Sequence, residues 1–454
     1  MAIAIAEEVG APSRAELRRT TWALAWPVIF SFSIESLVGL CDTLMVGRLG
    51  ATAVAAVGVG VQLLGAVDAG LFAVGMGSLA IVARHIGARE PAEAEETVRQ
   101  SIVAAAVVAV LAIVPVAVWA PELVAAFRVD ADVVAAATPF VRRVLLGVPA
   151  GAALFVIVSS LRGAGDTRTP LAIGIVVGVV NVVLAYVLIF GRFGFPALGV
   201  LGAATATATA FITGALLGLV LLARGRLVIR LRARGYRVRT DIVRRVLRIG
   251  YPAAIEHLLM QVGFFLYIVF ATRYGTAAVA AYFIGVRILA ISFLPGFGFA
   301  AAAGALVGQN LGAVRPHDAE RSGWAAVGLA LWLMSAAGVV FFLAARPIAR
   351  LFVADESVVA DAVSFIRILA AVQPLMAIDF TLGGALRGAG DTRFPLLTVL
   401  LGFYVCRLGF ACVVTFALGL DLVWLWLAIL GDYVVRSSLK AARFNSGAWK
   451  LIRV

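Results

Sequence analysis

The chain is poor in the charge that a water-soluble protein needs. Only 14% of its 454 residues are charged, whereas 63% are hydrophobic, and the mean hydropathy is +1.04. Soluble domains average about 25% charged and about 45–50% apolar residues, so the composition excludes that class. Intrinsic disorder is excluded as well, because disordered segments are polar and poor in aliphatic residues. Long unbroken apolar runs, without the alternation of barrel strands, indicate membrane-spanning helices.

Cysteine and histidine are scarce too. The three cysteines, Cys41, Cys406 and Cys412, lack CxxC spacing, so neither a disulfide framework nor a zinc site is predicted. His257 follows Glu256, but no second histidine comes four residues later, which excludes an HExxH metal motif. The chain also lacks a GxxxxGK[ST] loop and any paired catalytic constellation. We therefore expect neither an ATP-driven pump nor an enzyme, no bound metal, and no cofactor beyond a coupling ion.

The positive charge is almost entirely arginine, since only Lys440 and Lys450 of the 38 basic residues are lysine. A net charge of +13 accompanies no basic helix and no aromatic-interleaved patch, so no nucleic-acid partner is predicted. Arginines in cytoplasmic loops of a membrane protein explain the charge instead. The N-terminus has no cleavable signal pattern, so the first apolar run is predicted to be retained as a span.

A spanning helix needs roughly 20 mostly apolar residues. By this rule the sequence predicts twelve spans, at 21–46, 53–79, 99–120, 133–158, 169–190, 198–222, 248–271, 277–303, 323–344, 360–384, 394–417 and 421–441. One side of the membrane then collects 27 basic residues, in the gaps and at the adjoining span ends, and the other side collects six. The positive-inside rule predicts a multi-pass protein of the plasma (inner) membrane with both termini in the cytoplasm.

A repeat divides the chain into two halves. Leu161–Leu171 reads LRGAGDTRTPL and Leu386–Leu396 reads LRGAGDTRFPL, ten of eleven residues matching at an offset of 225. The same offset joins Pro27 to Pro252, so we predict two six-helix lobes in parallel orientation. Such repeats are typical of transporters whose substrate sites lie near the midplane. The predicted segments are a cytoplasmic start (1–20), an N-lobe (21–222), an arginine-rich linker (223–247), a C-lobe (248–441) and a cytoplasmic tail (442–454).

The repeated motif predicts a tight cytoplasmic turn. Gly163 and Gly165 permit it, and Asp166 with Thr167 can cap the following helix. Arg162 and Arg168 of the same motif are interpreted as holding the turn on the cytoplasmic face. The motif is therefore predicted to be a structural hinge and topology anchor rather than a substrate contact.

These residues resemble the multidrug and toxic compound extrusion (MATE) family. The paired LRGAGDTRxP loops, Pro27 with Asp42 in the first helix, and the glycine-rich opening of the sixth carry the resemblance over roughly 15–445. It implies an all-α, V-shaped bundle of twelve helices in two lobes related by a pseudo-two-fold axis. It also implies an antiporter that exports organic, often cationic, compounds against an H+ or Na+ gradient.

Within the family, the chain is more similar to the DinF-like and archaeal branch than to the NorM-like branch. Asp42 and Asn181 match the first-helix aspartate and fifth-helix asparagine of that branch, whose aspartate is linked to cation coupling. The second aspartate of its archaeal members falls here on Ala185, so the acidic pair is incomplete. The NorM-like acids would fall near Met260 and Met376 rather than on charged residues.

Ionisable residues inside spans indicate function. The N-lobe carries Asp42, Glu35 and Asp68 without an arginine deep in a span, and these are the predicted cation-coupling residues together with Asn181. The side chains predicted to lie near these acids are neutral and polar. The candidate substrate-binding residues are Gln62, Tyr186, Thr205, Thr207, Glu256 and Asp379. In the C-lobe, Glu256 and Asp379 can be balanced by Arg287 and Arg407, which favours a structural network there. Asp432 and Arg436 form a local helix pair.

The predicted mechanism is competition at Asp42. Its charged form, with Glu35, attracts an organic cation, and protonation of Asp42 releases that cation. Pro27 and Gly39 are the predicted hinge residues of the first helix. Na+ remains possible if Asn181 and carbonyl groups complete an oxygen shell, although H+ is favoured. The partners expected are small organic cations and the bilayer, with a monomeric protein. The alternative is a lipid-linked precursor flippase of the same superfamily.

Overall fold

The computed structural model describes residues 12–225, 227–232, 237–452 and 454, and every regular element in them is helical. The predicted segments 1–20 and 223–247 therefore lie partly outside the described residues. The helices of the first half are α1 (Arg14–Gly47), α2 (Ala51–Gly87), α3 (Pro91–Val118), α4 (Ala120–Ala125), α5 (Ala131–Leu145), α6 (Val148–Gly163), α7 (Arg168–Phe190) and α8 (Val200–Ala223).

The second half repeats this order. Its helices are α9 (Thr240–Ala271), α10 (Thr276–Gly312), α11 (Pro316–Leu343), α12 (Ala345–Arg350), α13 (Glu356–Gly388), α14 (Arg393–Val399), α15 (Gly409–Cys412) and α16 (Leu422–Asn445). Two π-helical stretches, Leu400–Leu408 and Val413–Leu418, make α14 and α15 parts of one continuous span. Short 3-10 turns lie at Thr272–Tyr274 and Ala448–Leu451. The boundaries of α2, α3 and α4 recur in α10, α11 and α12 at the offset of 225.

Among the described residues, eleven helices are long and apolar enough to cross a membrane. The pair α5 and α6 passes the same test as one span with a bend of 52°, which gives the predicted twelve. Pro149 lies in the first turn of α6, after Gly147. Proline alone does not cause the break, because Pro374 at the equivalent position lies inside the continuous helix α13. One difference is the residue two before the proline, which is Gly147 just before α6 and Val372 inside α13, and glycine weakens a helix.

The chain folds into two compact units whose limits differ from the predicted lobes. The N-terminal unit is Phe30–Ala254, and the C-terminal unit combines Met1–Ile29 with Ile255–Val454. Each limit falls two residues after a repeated proline, Pro27 in α1 and Pro252 in α9. The first halves of α1 and α9 therefore each pack with the unit built mainly by the other half of the chain.

Glycines explain this packing. A side chain on Gly250 in α9 would overlap the carbonyl oxygen of Ala73 in α2, within the N-terminal unit. At the positions related by the offset, a side chain on Gly298 in α10 would meet Ala25 and Ile29 of α1, within the C-terminal unit. Each crossing places one glycine on one of its two helices, so that the backbones approach closely.

The repeated motif forms the predicted turns. Gly165 and Gly390 have positive φ angles, 84° and 89°, which glycine adopts without strain. The cap of α7 is made by Asp166, whose Oδ1 accepts the Thr169 amide at 3.0 Å, and not by Thr167. Gly163 is the last residue of α6, where it faces the backbone of Leu79 rather than shaping the turn.

Candidate functional site

Asp42 and Asn181 form the centre of the candidate site in the N-terminal unit. Helix α7 lies close to α1 because Gly178 faces Val38 and Ile34 without a side chain of its own. Asn181, one turn beyond that contact, donates from Nδ2 to Oδ2 of Asp42 at 2.8 Å. The sequence analysis selected both residues, which are 139 positions apart in the chain. The structure brings them together.

The pair leaves two oxygen atoms without partners. Oδ1 of Asp42 and Oδ1 of Asn181 are both buried and accept no hydrogen bond among the described residues. Buried acceptors are nearly always satisfied, and an unsatisfied one costs free energy. Neighbouring acceptor oxygens without donors are suited to receive a positive charge, either a proton on Asp42 or a small cation.

Glu35 and Asp68 form a second acidic group in the same unit, and here one expectation was wrong. Arg162 attracts Glu35 electrostatically, and its guanidinium carbon lies 5.1 Å from the ring centre of Phe32, one turn earlier on α1. Asp68 interacts with Glu35 as a like charge. The motif arginine therefore acts electrostatically on Glu35 of α1, in addition to its place beside the cytoplasmic turn. The sequence missed it because Arg162 lies at the end of α6, outside the predicted span.

The other predicted N-lobe residues stay apart from Asp42. Thr205 and Thr207 donate to carbonyl groups of their own helix, of Leu201 and Ala203, at 2.8 and 3.1 Å. Tyr186 is exposed and packs edge-on against Phe190, and Gln62 is exposed on α2. In the described part of the chain none of these four side chains forms a hydrogen bond to Asp42 or Asn181. Of the hinge residues, Pro27 is buried inside α1 and Gly39 is exposed.

The C-lobe acids are ion-paired, but not to the arginines predicted for them. Glu256 accepts from Nη2 of Arg387 at 2.6 Å. Asp379 accepts from Arg436 at 2.6 Å and from Lys440 at 2.5 Å, with all three side chains at most 5% exposed. The predicted balance of acids by bases is present, but its partners are wrong.

Arg287 and Arg407 are placed differently from the expectation. Arg287 is exposed on α10. Arg407 is buried in the π-helical stretch, with its guanidinium carbon 4.2 Å from the Tyr267 ring centre and one nitrogen 3.7 Å from Asp432. The predicted helix pair Asp432 and Arg436 is present at 3.9 Å.

Arg436 and Lys440, the bases that pair with Asp379, could have been recognised from the sequence. Asp432, Arg436 and Lys440 recur every four residues on α16, which places all three charges on one face of a helix inside the C-lobe. Room for them comes from glycine: a side chain on Gly402 would lie 2.7 Å from Oδ1 of Asp432, and one on Gly383 would lie 3.2 Å from Nζ of Lys440.

The offset of 225 compares the two lobes position by position. Asp42 corresponds to Tyr267, and Asn181 corresponds to Cys406, next to Arg407. The place that holds an acid with open oxygens in one lobe thus holds, in the other, a phenol ring stacked under a guanidinium. Groups of three or more His, Cys, Asp or Glu side chains able to hold a metal do not occur among the described residues.

Known proteins are similar to this chain over most of its length. A family model described as MatE matches residues 27–187 and 252–413. A probable multidrug resistance protein NorM of Thermotoga maritima is 30% identical, over 96% of this chain and 94% of the relative. The uncharacterized transporter YisQ of Bacillus subtilis is 25% identical, over 94% of each chain.

Solved structures have the same fold. A MOP superfamily transporter from Pyrococcus furiosus superposes with a TM-score of 0.88 at 22% identity, over 97% of this chain and 99% of that chain. The predicted all-α polytopic fold of twelve spanning helices in two lobes is confirmed.

Proposed function

The chain belongs to the MatE family of membrane transporters, and from this premise we propose that it is a secondary antiporter which exports organic cations in exchange for H+. The observation that carries the proposal is the pair Asp42 and Asn181, inside a span, with two acceptor oxygens open. Relatives that are named for multidrug resistance support organic compounds as the cargo. Cationic amphiphiles are favoured because the open site is acidic.

Asp42 is the coupling carboxylate in this proposal. Of the three N-lobe acids, Glu35 is attracted electrostatically by Arg162, and Asp68 is repelled by Glu35. Asp42 forms no ion pair among the described residues, and its one hydrogen bond comes from a neutral amide. A lone carboxylate at membrane depth changes its charge more easily than one held by an arginine, since opposite charge stabilises the ionised form.

The exchange follows from competition for one negative charge. Ionised Asp42 attracts an organic cation, and a proton bound at its free Oδ1 removes that attraction and releases the cation. Proton and substrate then occupy the site alternately, which is the condition for antiport. The hinge proposed at Pro27 and Gly39 would let α1 respond to this change of charge.

A proton suits the site better than Na+. Hard cations require a shell of several oxygen ligands, usually with carboxylates among them. The pair offers one carboxylate and one amide oxygen, and the neighbouring position one turn along α7 is the buried Ala185. The placement nearer the DinF-like branch rests on Asp42 and Asn181, although relatives of this chain bear the name NorM.

The setting proposed is the inner membrane, with both termini in the cytoplasm and a monomeric protein. The distribution of arginine supports this orientation, because basic residues concentrate in cytoplasmic loops. The stretch from Arg224 to Arg248, which includes the first residue of the predicted C-lobe, carries ten arginines. A flippase for lipid-linked precursors would instead require cations that face an anionic cargo, and the open groups of the N-lobe site are acceptors.

Efflux from proteoliposomes tests the proposal. A fluorescent organic cation is loaded, and its release is followed under an imposed pH gradient or, separately, an imposed Na+ gradient. We expect the pH gradient to drive release in the wild type and in D421N, which alters an exposed aspartate at the start of α16. D42N should release cation only down its own gradient.

Two results would reject the assignment. Full gradient-driven activity of D42N would remove Asp42 from coupling and direct attention to the C-lobe acids. Transport driven by Na+ alone would keep the site and change the ion.

A further inference from the structure

The repeated motif places an arginine at the same point of each lobe. This arginine is the second residue of the motif LRGAGDTR. It is Arg162 in the last turn of α6 and Arg387 in the last turn of α13. In the C-lobe, Nη2 of Arg387 donates to Oε1 of Glu256 on α9 at 2.6 Å, and the two side chains are 17% and 8% exposed. The motif thus provides an ion pair to the first helix of its lobe.

The N-lobe has an arginine at the equivalent position and an acid one turn further along its first helix. Arg162 attracts Glu35 on α1 and lies against the ring of Phe32 on the same helix. By the offset of 225, Glu256 corresponds to Ser31, four residues before Glu35. Four residues are close to one helical turn, so both acids face the same side of the first helix. The acid lies one turn further along the first helix in the N-lobe, while the arginine has the same position in both lobes.

A glycine follows each of these arginines, and it allows the close helix packing that lets the arginine extend toward the first helix. Gly163 in α6 faces the backbone of Leu79 in α2, and Gly388 in α13 faces the backbone of Gly304 in α10, again at equivalent positions. A side chain on either glycine would overlap a carbonyl oxygen. The close approach of these helices sets the end of α6 or α13 deep enough for a long arginine side chain to reach the first helix.

We infer that the first arginine of the LRGAGDTR motif is the built-in counter-ion of a first-helix glutamate in each lobe, and that it positions that helix. The pairs are Arg162 with Glu35 and Arg387 with Glu256. The inference does not depend on the coupling role of Asp42. Taken together with that proposed function, it fixes the charge of Glu35 and leaves Asp42 to change protonation.

Charge-neutral double substitution tests the pairs. Removing one member leaves an unpaired charge inside the membrane, whereas removing both leaves none. We expect R387Q and E256Q each to lower the melting temperature of the purified protein, and R387Q/E256Q to recover most of that loss. R387K should retain more stability than R387Q because it keeps the charge. R162Q, E35Q and R162Q/E35Q should follow the same order.

The second arginine of each motif supplies the matched control. Arg168 and Arg393 are exposed, so R168Q and R393Q remove the same charge from the same loop without opening a pair. Both should leave the melting temperature near that of the wild type, and R168Q should not rescue E35Q.

A pH profile separates positioning from bulk stability. If Arg162 holds Glu35 ionised, R162Q adds a second pH-dependent step to transport, and R162Q/E35Q lacks that step. The inference fails if the double variants are no more stable than the arginine single variants, or if R168Q rescues E35Q as well as R162Q does. If the double variants recover stability, the counter-ion inference holds whether or not D42N loses coupling. The two proposals can therefore fail separately.

Discussion

Among the described carboxylates in the spans, Asp42 is distinguished by its hydrogen bond from a neutral amide. Asn181 gives it one hydrogen bond, while one oxygen of each side chain is buried without a donor. Glu256 and Asp379 are held instead by arginine and lysine. A carboxylate bound by a neutral amide keeps its position while its charge remains free to change, which is what alternating occupancy requires.

Removing the Asn181 side chain tests this arrangement. A hydrogen bond to a charged group contributes about 1.5–3 kcal/mol, and about 1.4 kcal/mol corresponds to a tenfold change. N181A should therefore reduce pH-driven efflux about tenfold or more, measured as the initial rate in proteoliposomes. T213A is the control, since that hydroxyl donates to the Thr209 carbonyl of its own helix, and it should change the rate less than about twofold. Equal losses in both variants would contradict a special role of the pair.

At the scale of helices, the duplicated chain is held together by close backbone crossings. Gly250 against Ala73 and Gly298 against Ala25 occupy related positions, yet the glycine lies on α9 in one crossing and on α10 in the other. Each crossing therefore contains a glycine, but the glycine is not on the same helix of the two repeats. Such crossings depend on van der Waals contact, because lipid gives little hydrophobic drive between helices.

Gly250 is the less tolerant position. Alanine there would bring its Cβ into the carbonyl of Ala73, a backbone atom that cannot move aside. In G298A the nearest atom belongs to the Ile29 side chain, which can change rotamer. We expect G250A to lower the melting temperature clearly and G298A to lower it less.

Gly174 supplies the reference for that comparison. It lies inside α7 with open space around its missing side chain. G174A should be neutral or stabilising by up to about 1 kcal/mol, because alanine is the better helix former. If G250A were as stable as G174A, the close crossing of α9 and α2 would be wrong.

For the whole molecule, the fold could be predicted from the sequence and much of the charge pairing could not. Twelve spans and two halves follow from apolar length and an exact offset, which are local properties of the chain. Asp42 with Asn181 was also predicted, because both are polar inside spans. Arg387 and Arg162 were missed, since they belong to loop motifs whose reach depends on how closely Gly388 and Gly163 let helices pack.

The exchange of helix halves between units was missed for the same reason. The limits of the compact units lie inside α1 and α9, where apolar periodicity continues without a break. A hydropathy pattern records that a segment is a helix, whereas its neighbours depend on small residues such as Gly250 in another part of the chain. Lobe boundaries drawn at the linker, 21–222 and 248–441, therefore do not coincide with the packed units.

The two lobes share helices but differ in how their acids are satisfied, and this difference predicts separate effects of substitution. D379N removes the carboxylate that holds Arg436 and Lys440, and breaking a buried ion pair costs about 3–5 kcal/mol. We expect D379N to lower the melting temperature strongly and to leave the pH profile of the remaining transport unchanged. D379N/K440M should recover part of the stability.

D42N should show the reverse pattern, a stable protein without pH-driven efflux, because Asp42 has no ion pair to lose in the described part of the chain. Melting temperature and efflux of D42N and D379N, measured on the same preparations, give the comparison. A stable D379N that had lost its pH dependence would move coupling to the C-lobe. Since Arg436 and Lys440 already neutralise Asp379 there, the proposal places the carboxylate that receives an external cation at Asp42, and one lobe is sufficient for the exchange.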